Sequence, residues 1–340
     1  MLIDLRSDTV TRPTPGMLET MFTAKVGDDV FGDDPAINQL QQLTADHFGM
    51  EAGLFFPSGT MANQVAIKTH TQPGDEIICD QTAHVYRYEG GGIAFHSGAS
   101  VRLLFGERGI FTPGDIVNNI NSDDTHFPNT SLVCIENTVN KGGGICWTGE
   151  QLSSVCEAAR KYNLKTHLDG ARVWNALVKT GQNPKDYSKW FDSISVCFSK
   201  GLGCPVGSVL VGNKDFIKAA RKHRKRFGGG MRQAGYLAAA CIYALQNNIS
   251  RLETDHKKAR VLEAILQNLP AVKEVMPVET NIVLFKTESA EKAGQILAAL
   301  KDESILAAAT DGGWIRFVTH LDIKDEMMER VEGILGKVLS

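Results

Sequence analysis

The sequence predicts an α/β fold with a mainly parallel central sheet flanked by helices, followed by a smaller C-terminal α/β domain. Short apolar runs alternate with helical or turn-rich stretches through most of the chain, which is the pattern of successive strand–helix units. The period changes after residue 248. We therefore divide the 340 residues into an N-terminal arm (1–15), a large domain (16–248) and a small α/β domain (249–340).

The composition argues against several classes of protein. A net charge of -3 gives no global attraction to nucleic acid or to an anionic membrane. No apolar run is long enough to cross a bilayer, and the first ten residues do not resemble a signal peptide. The seven cysteines contain no C-x-x-C pair, which argues against a disulfide framework and a zinc site. We expect a cytoplasmic protein with no nucleic-acid partner, no membrane partner and no metal.

The N-terminal region is interpreted from capping residues and helical spacing. Residues 5–11 form a polar arm, which is either a mobile terminus or the lining of a site. A helix is predicted over residues 16–24. The next helix is expected to begin at Pro35, with Asp34 as its cap. It continues to about residue 48, because apolar residues recur on one face.

The first chemical signal is the turn Ser58-Gly59-Thr60, between a buried run at 53–56 and a helix at 61–69. Hydroxyls and free backbone N–H groups at the start of a helix form a natural cradle for phosphate. The segment lacks the Gly-Lys-Ser/Thr of a Walker loop and the G-x-G-x-x-G spacing of a dinucleotide site. The alternative is an ordinary Ser or Thr helix cap.

Four further strands are predicted at residues 76–79, 101–105, 132–135 and 164–168. Ligands of parallel sheets bind at the carboxyl ends of the strands. The polar residues that fall at those ends are Asp80, His84, Glu136, Asn137, Asp169 and Arg172. We therefore expect the chemistry to converge on one edge of the sheet.

The strongest chemical signal is Lys200, which follows an apolar run at 196–198 and precedes Gly201 and Gly203, where the backbone can turn sharply. Partial burial at the end of a strand favours the neutral, nucleophilic amine that a Schiff base requires. Asp169 ends a strand 31 residues earlier and suits a protonated pyridine, so the two residues point to pyridoxal phosphate. The alternatives are an exposed lysine and an aspartate that caps a helix.

A basic run at residues 221–226 extends a helix that begins at Lys214. No aromatic residues alternate with it, so a solvated helix face is preferred to a nucleic-acid surface. Further helices are predicted at 233–248 and 251–269.

The small domain is predicted to contain a strand at 281–285, a helix at 290–300, a hairpin of 305–309 with 314–318, and a final helix from about residue 323. Arg316 alternates with Ile315 and Phe317, so its side chain faces away from their packing surface. It is either a surface charge or, as we prefer, an anchor for a carboxylate in the cleft between the domains.

Six motifs resemble, in order, those of the low-specificity L-threonine aldolases, and the resemblance covers almost the whole chain. They are Arg6-Ser7-Asp8-Thr9-Val10-Thr11, Gly32-Asp33-Asp34-Pro35, Pro57-Ser58-Gly59-Thr60, His167-Leu168-Asp169-Gly170-Ala171-Arg172, Ser199-Lys200-Gly201 and Gly228-Gly229-Gly230-Met231-Arg232-Gln233. The resemblance implies a pyridoxal phosphate enzyme of the aspartate-aminotransferase fold (fold type I) that cleaves L-threonine and L-allo-threonine to glycine and acetaldehyde. Phe31 departs from the tyrosine of some relatives, so no phenol is assigned a role there.

For the cofactor, the resemblance implies that Lys200 forms the Schiff base, that Asp169 keeps the pyridine nitrogen protonated and that His84 stacks on the ring. Arg172 is implied near the phenolic oxygen of the cofactor. The residues implied at the phosphate are Ser58, Gly59 and Thr60, with Lys225 and Arg232 from a neighbouring subunit. The protein is then a homo-oligomer with shared active sites, a tetramer built as a dimer of dimers.

For the substrate, the resemblance implies that Ser7, Arg172 and Arg316 hold the carboxylate. The resemblance also implies that His126 contacts the β-hydroxyl, although a histidine in a polar loop is otherwise a solvated side chain. The groups that could take the proton of this hydroxyl are His84, His126 and a water held by Glu89. Two other functions stay open: a related β-eliminating amino-acid lyase, and a cofactor-binding regulatory protein without turnover.

Overall fold

The structure is a computed structural model that describes all 340 residues. Its strands, in chain order, are β1 (Ile3–Asp4), β2 (Ala52–Phe56), β3 (Glu76–Asp80), β4 (Ser100–Leu104), β5 (Thr130–Glu136), β6 (Lys165–Gly170), β7 (Ser193–Cys197), β8 (Ser208–Gly212), β9 (Glu274–Val275), β10 (Ile282–Lys286), β11 (Ile305–Leu306), β12 (Ala308–Thr310) and β13 (Trp314–Val318). Its α-helices are α1 (Pro15–Phe22), α2 (Pro35–Phe48), α3 (Gly59–His70), α4 (His84–Arg87), α5 (Pro113–Val117), α6 (Gly149–Lys161), α7 (Val173–Thr180), α8 (Tyr187–Trp190), α9 (Lys214–Arg226), α10 (Gly235–Asn247), α11 (Leu252–Leu266), α12 (Ala290–Asp302) and α13 (Asp325–Val338).

The central sheet has seven strands in the order β2-β8-β7-β6-β5-β3-β4. Strand β8 runs antiparallel to both of its neighbours, and the other six strands run parallel to one another. The prediction of a mainly parallel sheet flanked by helices is confirmed. The carboxyl ends of β3, β5, β6 and β7 therefore lie along one edge, where ligands of such sheets bind.

The antiparallel strand β8 was not predicted. No helix separates β7 from β8, so the chain returns directly and the second strand must run in the opposite direction. The turn between them holds Lys200, and Gly203 takes a positive φ of 82° there. Strand β8 thus returns alongside β7, and the turn that holds Lys200 joins these two antiparallel strands.

Local signals placed the starts of the early helices well. Helix α2 begins at Pro35, where the carboxylate of Asp34 accepts the N–H groups of Ala36 and Ile37 at 3.1 Å. Helix α3 begins two residues earlier than predicted, at Gly59, because Ser58 is its cap and accepts the N–H of Met61.

The small-domain hairpin is shorter than predicted. Strand β12 pairs with β13, as expected, but Ile305–Leu306 pairs in parallel with Ile3–Asp4 of the N-terminal arm. Ile3 and Leu5 are fully buried in a second hydrophobic core, built otherwise from residues 259–339. The arm is therefore not a mobile terminus, because its apolar side chains belong to that core. The division of the chain at residue 248 stays a prediction.

None of the helices combines the length and the apolar character that a membrane-spanning segment requires.

Replacing Leu5 by alanine should lower the free energy of unfolding by about 2–5 kcal/mol, since a fully buried leucine is lost and a cavity is left. Leu2, which is 60% exposed, gives the matched control Leu2→Ala, whose change should stay within about 0.5 kcal/mol. Urea unfolding measures both. Equal stability of the two variants would show that docking of the arm contributes nothing.

Candidate active site

Two adjacent cavities open at the carboxyl ends of the parallel strands and share Lys200 and His84. The inner cavity, of about 240 Å³, is lined by Ser58, Gly59, Thr60, His84, Asp169 and Lys200, among others. The outer cavity, of about 330 Å³, is lined by Ser7, His84, Glu136, Arg172, Lys200 and Arg316, among others. Lys200 therefore lies where the two cavities meet.

Lys200 is held by its backbone while its amine stays free of any ion pair. The carbonyl of Lys200 accepts the hydroxyl of Thr11 at 3.0 Å and the N–H of Gly203 at 2.8 Å. Its Nζ lies 3.7 Å from Cys197 Sγ. A fixed backbone with an unpaired amine between two cavities suits a nucleophile.

Asp169 has one carboxylate oxygen without a partner. Its Oδ1 accepts the N–H of Ala171 at 3.1 Å, whereas its buried Oδ2 has no donor within the chain. Buried polar atoms are rarely left unpaired, so this oxygen fits a donor that a ligand supplies in the inner cavity. A protonated pyridine nitrogen is such a donor.

The opposite end of the inner cavity is the start of helix α3. The N–H groups of Gly59 and Thr60 have no intrahelical acceptor at this position, and the helix dipole favours an anion there. A Cβ added at Gly59 would lie 2.7 Å from Cys197 Sγ, so only glycine allows this close approach. These features fit a phosphate group.

His84 connects the two cavities and is held from two sides. Its backbone N–H donates to Glu136 at 2.8 Å, and its Nδ1 lies 3.0 Å from Glu89 Oε1. Burial alone would lower the pKa of His84, but the hydrogen bond to Glu89 and the charges of Asp169 and Glu136 raise it above its ordinary value. Nε2 makes no hydrogen bond within the chain and is free to meet a ligand.

Arg172 forms a buried, two-pronged ion pair with Asp8. Its Nε and Nη2 donate to the two oxygens of Asp8 at 2.8 and 2.7 Å, and Asn281 donates to the same carboxylate at 3.1 Å. Burial would raise the pKa of Asp8, but Arg172, Lys200 and Asn281 lower it to about 2. The resemblance implies that Arg172 holds the substrate carboxylate, but its Nε and Nη2 are already occupied by Asp8. Only Nη1 of Arg172 is left without a hydrogen bond.

Arg316 reaches the outer cavity from strand β13. Its Nη1 donates to Asn140 at 3.1 Å and its Nη2 to the carbonyl of Arg6 at 3.0 Å, while its buried Nε has no partner. Ser7 lines the same cavity. Ser7, Arg172 and Arg316 are far apart in the sequence but line this one cavity, and their donor groups suit a carboxylate.

Three predicted site residues lie outside both cavities. The ring of His126 pairs with Asp124 at 2.6 Å in an exposed loop. Arg232 donates to Asp28 at 2.9 Å on the surface. Lys225 lines a separate cationic groove on helix α9. Their roles stay predictions.

The structure also shows site residues that sequence reasoning did not single out. Asp8 lies within the first motif, but its partner Arg172 is 164 positions away. Asn140, which positions Arg316, and Asn63, which lies against the inner cavity, carry no local signal of their own.

The chain is similar to known proteins over almost its whole length. Residues 4–290 match the family model described as beta-eliminating lyase. The chain is 44% identical to the low specificity L-threonine aldolase of Escherichia coli over 97% of both chains. It is 42% identical to a probable low-specificity L-threonine aldolase 2 of Arabidopsis thaliana over 99% of this chain and 97% of that one. The solved structure of Leishmania major threonine aldolase covers 99% of this chain and all of its own, with a TM-score of 0.86 at 21% identity, which shows a common fold.

Replacing Asp8 by asparagine should leave buried Arg172 without its partner and cost about 3–5 kcal/mol at neutral pH. The pKa of Asp8 is about 2 in the folded protein, against an ordinary 3.8. Its charge therefore stabilises the fold above about pH 4, and this stabilisation is lost as the pH falls to about 2. Across that pH window, we expect the free energy of unfolding of the wild type to fall by about 2 kcal/mol more than that of Asp8→Asn.

Urea unfolding at a series of pH values measures both effects. Asp311→Asn is the control, because that side chain is 97% exposed. Curves that run parallel for the wild type and Asp8→Asn would contradict the assignment.

Proposed function

The chain belongs to the beta-eliminating lyase family and, within it, to the low-specificity L-threonine aldolases, and we propose that it cleaves L-threonine and L-allo-threonine to glycine and acetaldehyde. It is a pyridoxal phosphate-dependent lyase of fold type I. The observation that carries the proposal is the position of Lys200. Its free amine lies between an inner cavity with an unpaired carboxylate oxygen and an outer cavity with two arginines.

The residues of the inner cavity fit pyridoxal phosphate. Asp169 Oδ2 would accept from the pyridine nitrogen, the start of helix α3 would hold the phosphate, and the imidazole of His84 would cover the ring. When bound, the cofactor supplies a carbonyl carbon for the lysine and the substrate amine, and a sink for the electrons released at Cα.

The outer cavity orients the substrate. The α-carboxylate is held by Ser7, Arg316 and the free Nη1 of Arg172. The substrate amino group then lies beside Lys200, where the carbonyl carbon of the cofactor would be. With the carboxylate held, the bond from Cα to Cβ becomes the one that is aligned for cleavage, and decarboxylation is disfavoured. Binding energy at the carboxylate is thus used to select the bond that breaks.

His84 is the group that we assign to the proton of the β-hydroxyl. Its Nε2 is free and it lines both cavities, whereas His126 lies in neither. Because its pKa is raised, the imidazolium that forms on accepting this proton is stabilised. Glu89 supports the assignment, since it accepts from Nδ1 and leaves the lone pair of neutral His84 on Nε2.

We further propose a homo-oligomer with shared active sites, a tetramer built as a dimer of dimers. Lys225 and Arg232 are exposed and cationic, and neither lines the inner or the outer cavity of its own chain. Phe31 is 77% exposed and Val30, beside it, lines the groove of Lys225. An exposed apolar and cationic surface of this kind supports a contact with the phosphate of a second copy. The seven cysteines are buried and unpaired, which supports a cytoplasmic location.

Lys200→Ala should lower acetaldehyde release from both threonine isomers by more than about 1,000-fold, because Lys200 is the one lysine that lines both cavities and Lys141 lines only the outer one. Lys189→Ala, at a side chain that is 72% exposed, is the matched control and should keep full activity. Aldehyde is measured by coupled reduction, and pyruvate from L-serine is measured in parallel. Pyruvate without acetaldehyde would replace the aldolase assignment by β-elimination.

Mixing two inactive variants should restore activity if the sites are shared. Lys200→Ala and the double variant Lys225→Ala, Arg232→Ala each lack one half of every site. After mild dissociation and reassembly we expect about a quarter of the wild-type rate, because half of randomly formed dimers are mixed and each has one intact site. No recovery from a mixture shown to contain mixed dimers would place all the catalytic groups within one chain.

A further inference from the structure

A series of hydrogen bonds, fully buried in its middle part, leads from His84 to His70. Its members, in order from the active site, are His84, Glu89, Asn63, His167, Ser193 and His70. His167 and Ser193 are fully buried, and Asn63 and Glu89 are at most 7% exposed. The proposed reaction uses Glu89 to orient His84, and it gives no role to Asn63, His167, Ser193 or His70.

The fold brings these residues to one face of the sheet. His167 lies two positions before Asp169 on strand β6, so both side chains point to the same face. Ser193 and Ser195 of β7 lie opposite them in register. Helix α3 packs across this face and presents Asn63 and His70, two turns apart.

The distances are those of ordinary hydrogen bonds. Asn63 Nδ2 donates to Glu89 Oε1 at 2.9 Å, and His167 Nε2 lies 3.1 Å from Asn63 Oδ1. His167 Nδ1 lies 2.9 Å from Ser193 Oγ, which lies 2.8 Å from His70 Nε2. Ser195 donates to the same Asn63 oxygen.

The direction of every bond follows from the carboxylate. Glu89 only accepts, so Asn63 must turn its NH₂ group towards it and its oxygen towards His167. His167 must then carry its proton on Nε2. A neutral imidazole has one N–H, so Nδ1 accepts from the hydroxyl of Ser193, and Ser193 accepts from His70.

Burial keeps both His167 and His70 neutral, and these bond directions require a neutral His167. Desolvation and the neighbouring His70 lower the pKa of His167 to about 3, so the ring stays neutral. Desolvation also lowers the pKa of His70, to about 4. Every hydrogen bond of the series therefore donates in the direction of Glu89. Gln64 Nε2 donates to the second carboxylate oxygen of Glu89.

We propose that His167, which touches neither cavity, is a positioning residue that acts through Asn63 on Glu89 and so holds His84 with its free lone pair on Nε2. Without the donor at His167, only Ser195 still donates to the Asn63 oxygen, so the amide is held less firmly against Glu89. His84 is then held less firmly. This inference rests on the proposed function only in giving His84 its role in proton transfer.

A pair of substitutions separates this role from mere packing. Glutamine places an amide nitrogen near the position of His167 Nε2, whereas asparagine reaches only the position of Nδ1. In the holoenzyme, His167→Asn should lower kcat for L-threonine at least about tenfold and lower the pKa of His84 by about one unit. His167→Gln should keep kcat within about twofold, and the pKa of His84 unchanged.

The pKa is read from the ¹³Cε1 shift of labelled histidine, with His84→Gln to assign the signal among the nine histidines. The charged groups that face His84 are Glu89, Asp169, Glu136 and Lys200, and none of them is altered. His256→Phe is the matched control, because His256 is 2% exposed and bonded to Asn175 outside both cavities. It should destabilise the fold without moving the titration of His84.

Equal losses in His167→Asn and His167→Gln, or an unchanged titration of His84 in His167→Asn, would overturn the proposal. If His167→Asn does not fold, ¹⁵N shifts of the wild type decide instead, since the proposal requires the Nε2–H tautomer of His167. The Nδ1–H tautomer there refutes it. Absence of acetaldehyde release in the wild type would end the proposed function, while the titration and tautomer would still test the positioning role.

Discussion

The buried ion pair of Asp8 and Arg172 joins three parts of the chain at the reacting edge of the sheet. Asp8 belongs to the N-terminal arm, Arg172 follows strand β6, and Asn281 of the small-domain region donates to the same carboxylate. Each charge is almost completely buried, so neither is tolerable without the other. Because of this pair, an arm with little regular structure is held over Lys200, whose carbonyl accepts the hydroxyl of Thr11. The outer cavity depends on this arrangement, since Ser7 lies next to Asp8.

Charge is divided between the two cavities in a way that suits the chemistry. Arg172 and Arg316 line the outer cavity and would suit a carboxylate, whereas Asp169 lines the inner cavity and would suit a protonated nitrogen. Glu136 lies opposite Asp169 in register, and burial together with that neighbour raises the pKa of Glu136 to about 7. Partial protonation of Glu136 near neutral pH reduces its repulsion with Asp169. Glu136 can thus hold the backbone of His84 without adding a full negative charge.

Much of the fold and of the site was predictable because the signals are local. Lys200 follows a buried strand and meets a glycine turn, Asp169 ends a strand, and Ser58 caps a helix. Strand β8 was missed because the link from β7 contains no helix, so the strand–helix alternation that identified the other strands was absent there. The pairing of Ile305–Leu306 with Ile3–Asp4 was missed because strands far apart in sequence carry no mark of their partner.

The sequence by itself determined the fold class and the positions of most helices and strands, and it predicted the lysine, the aspartate and the helix-start turn that line the cavities. Each of these depends on residues that are neighbours along the chain, through periodicity, capping or turn formation. Only the tertiary structure decided that Asp8 takes the fork of Arg172 and that His167 reaches Asn63, 104 positions away. Each of these hydrogen bonds requires a donor–acceptor distance within a few tenths of an ångström of its ideal length. These distances are set by how helix α3, the arm and the sheet pack together, and no local sequence pattern predicts that packing.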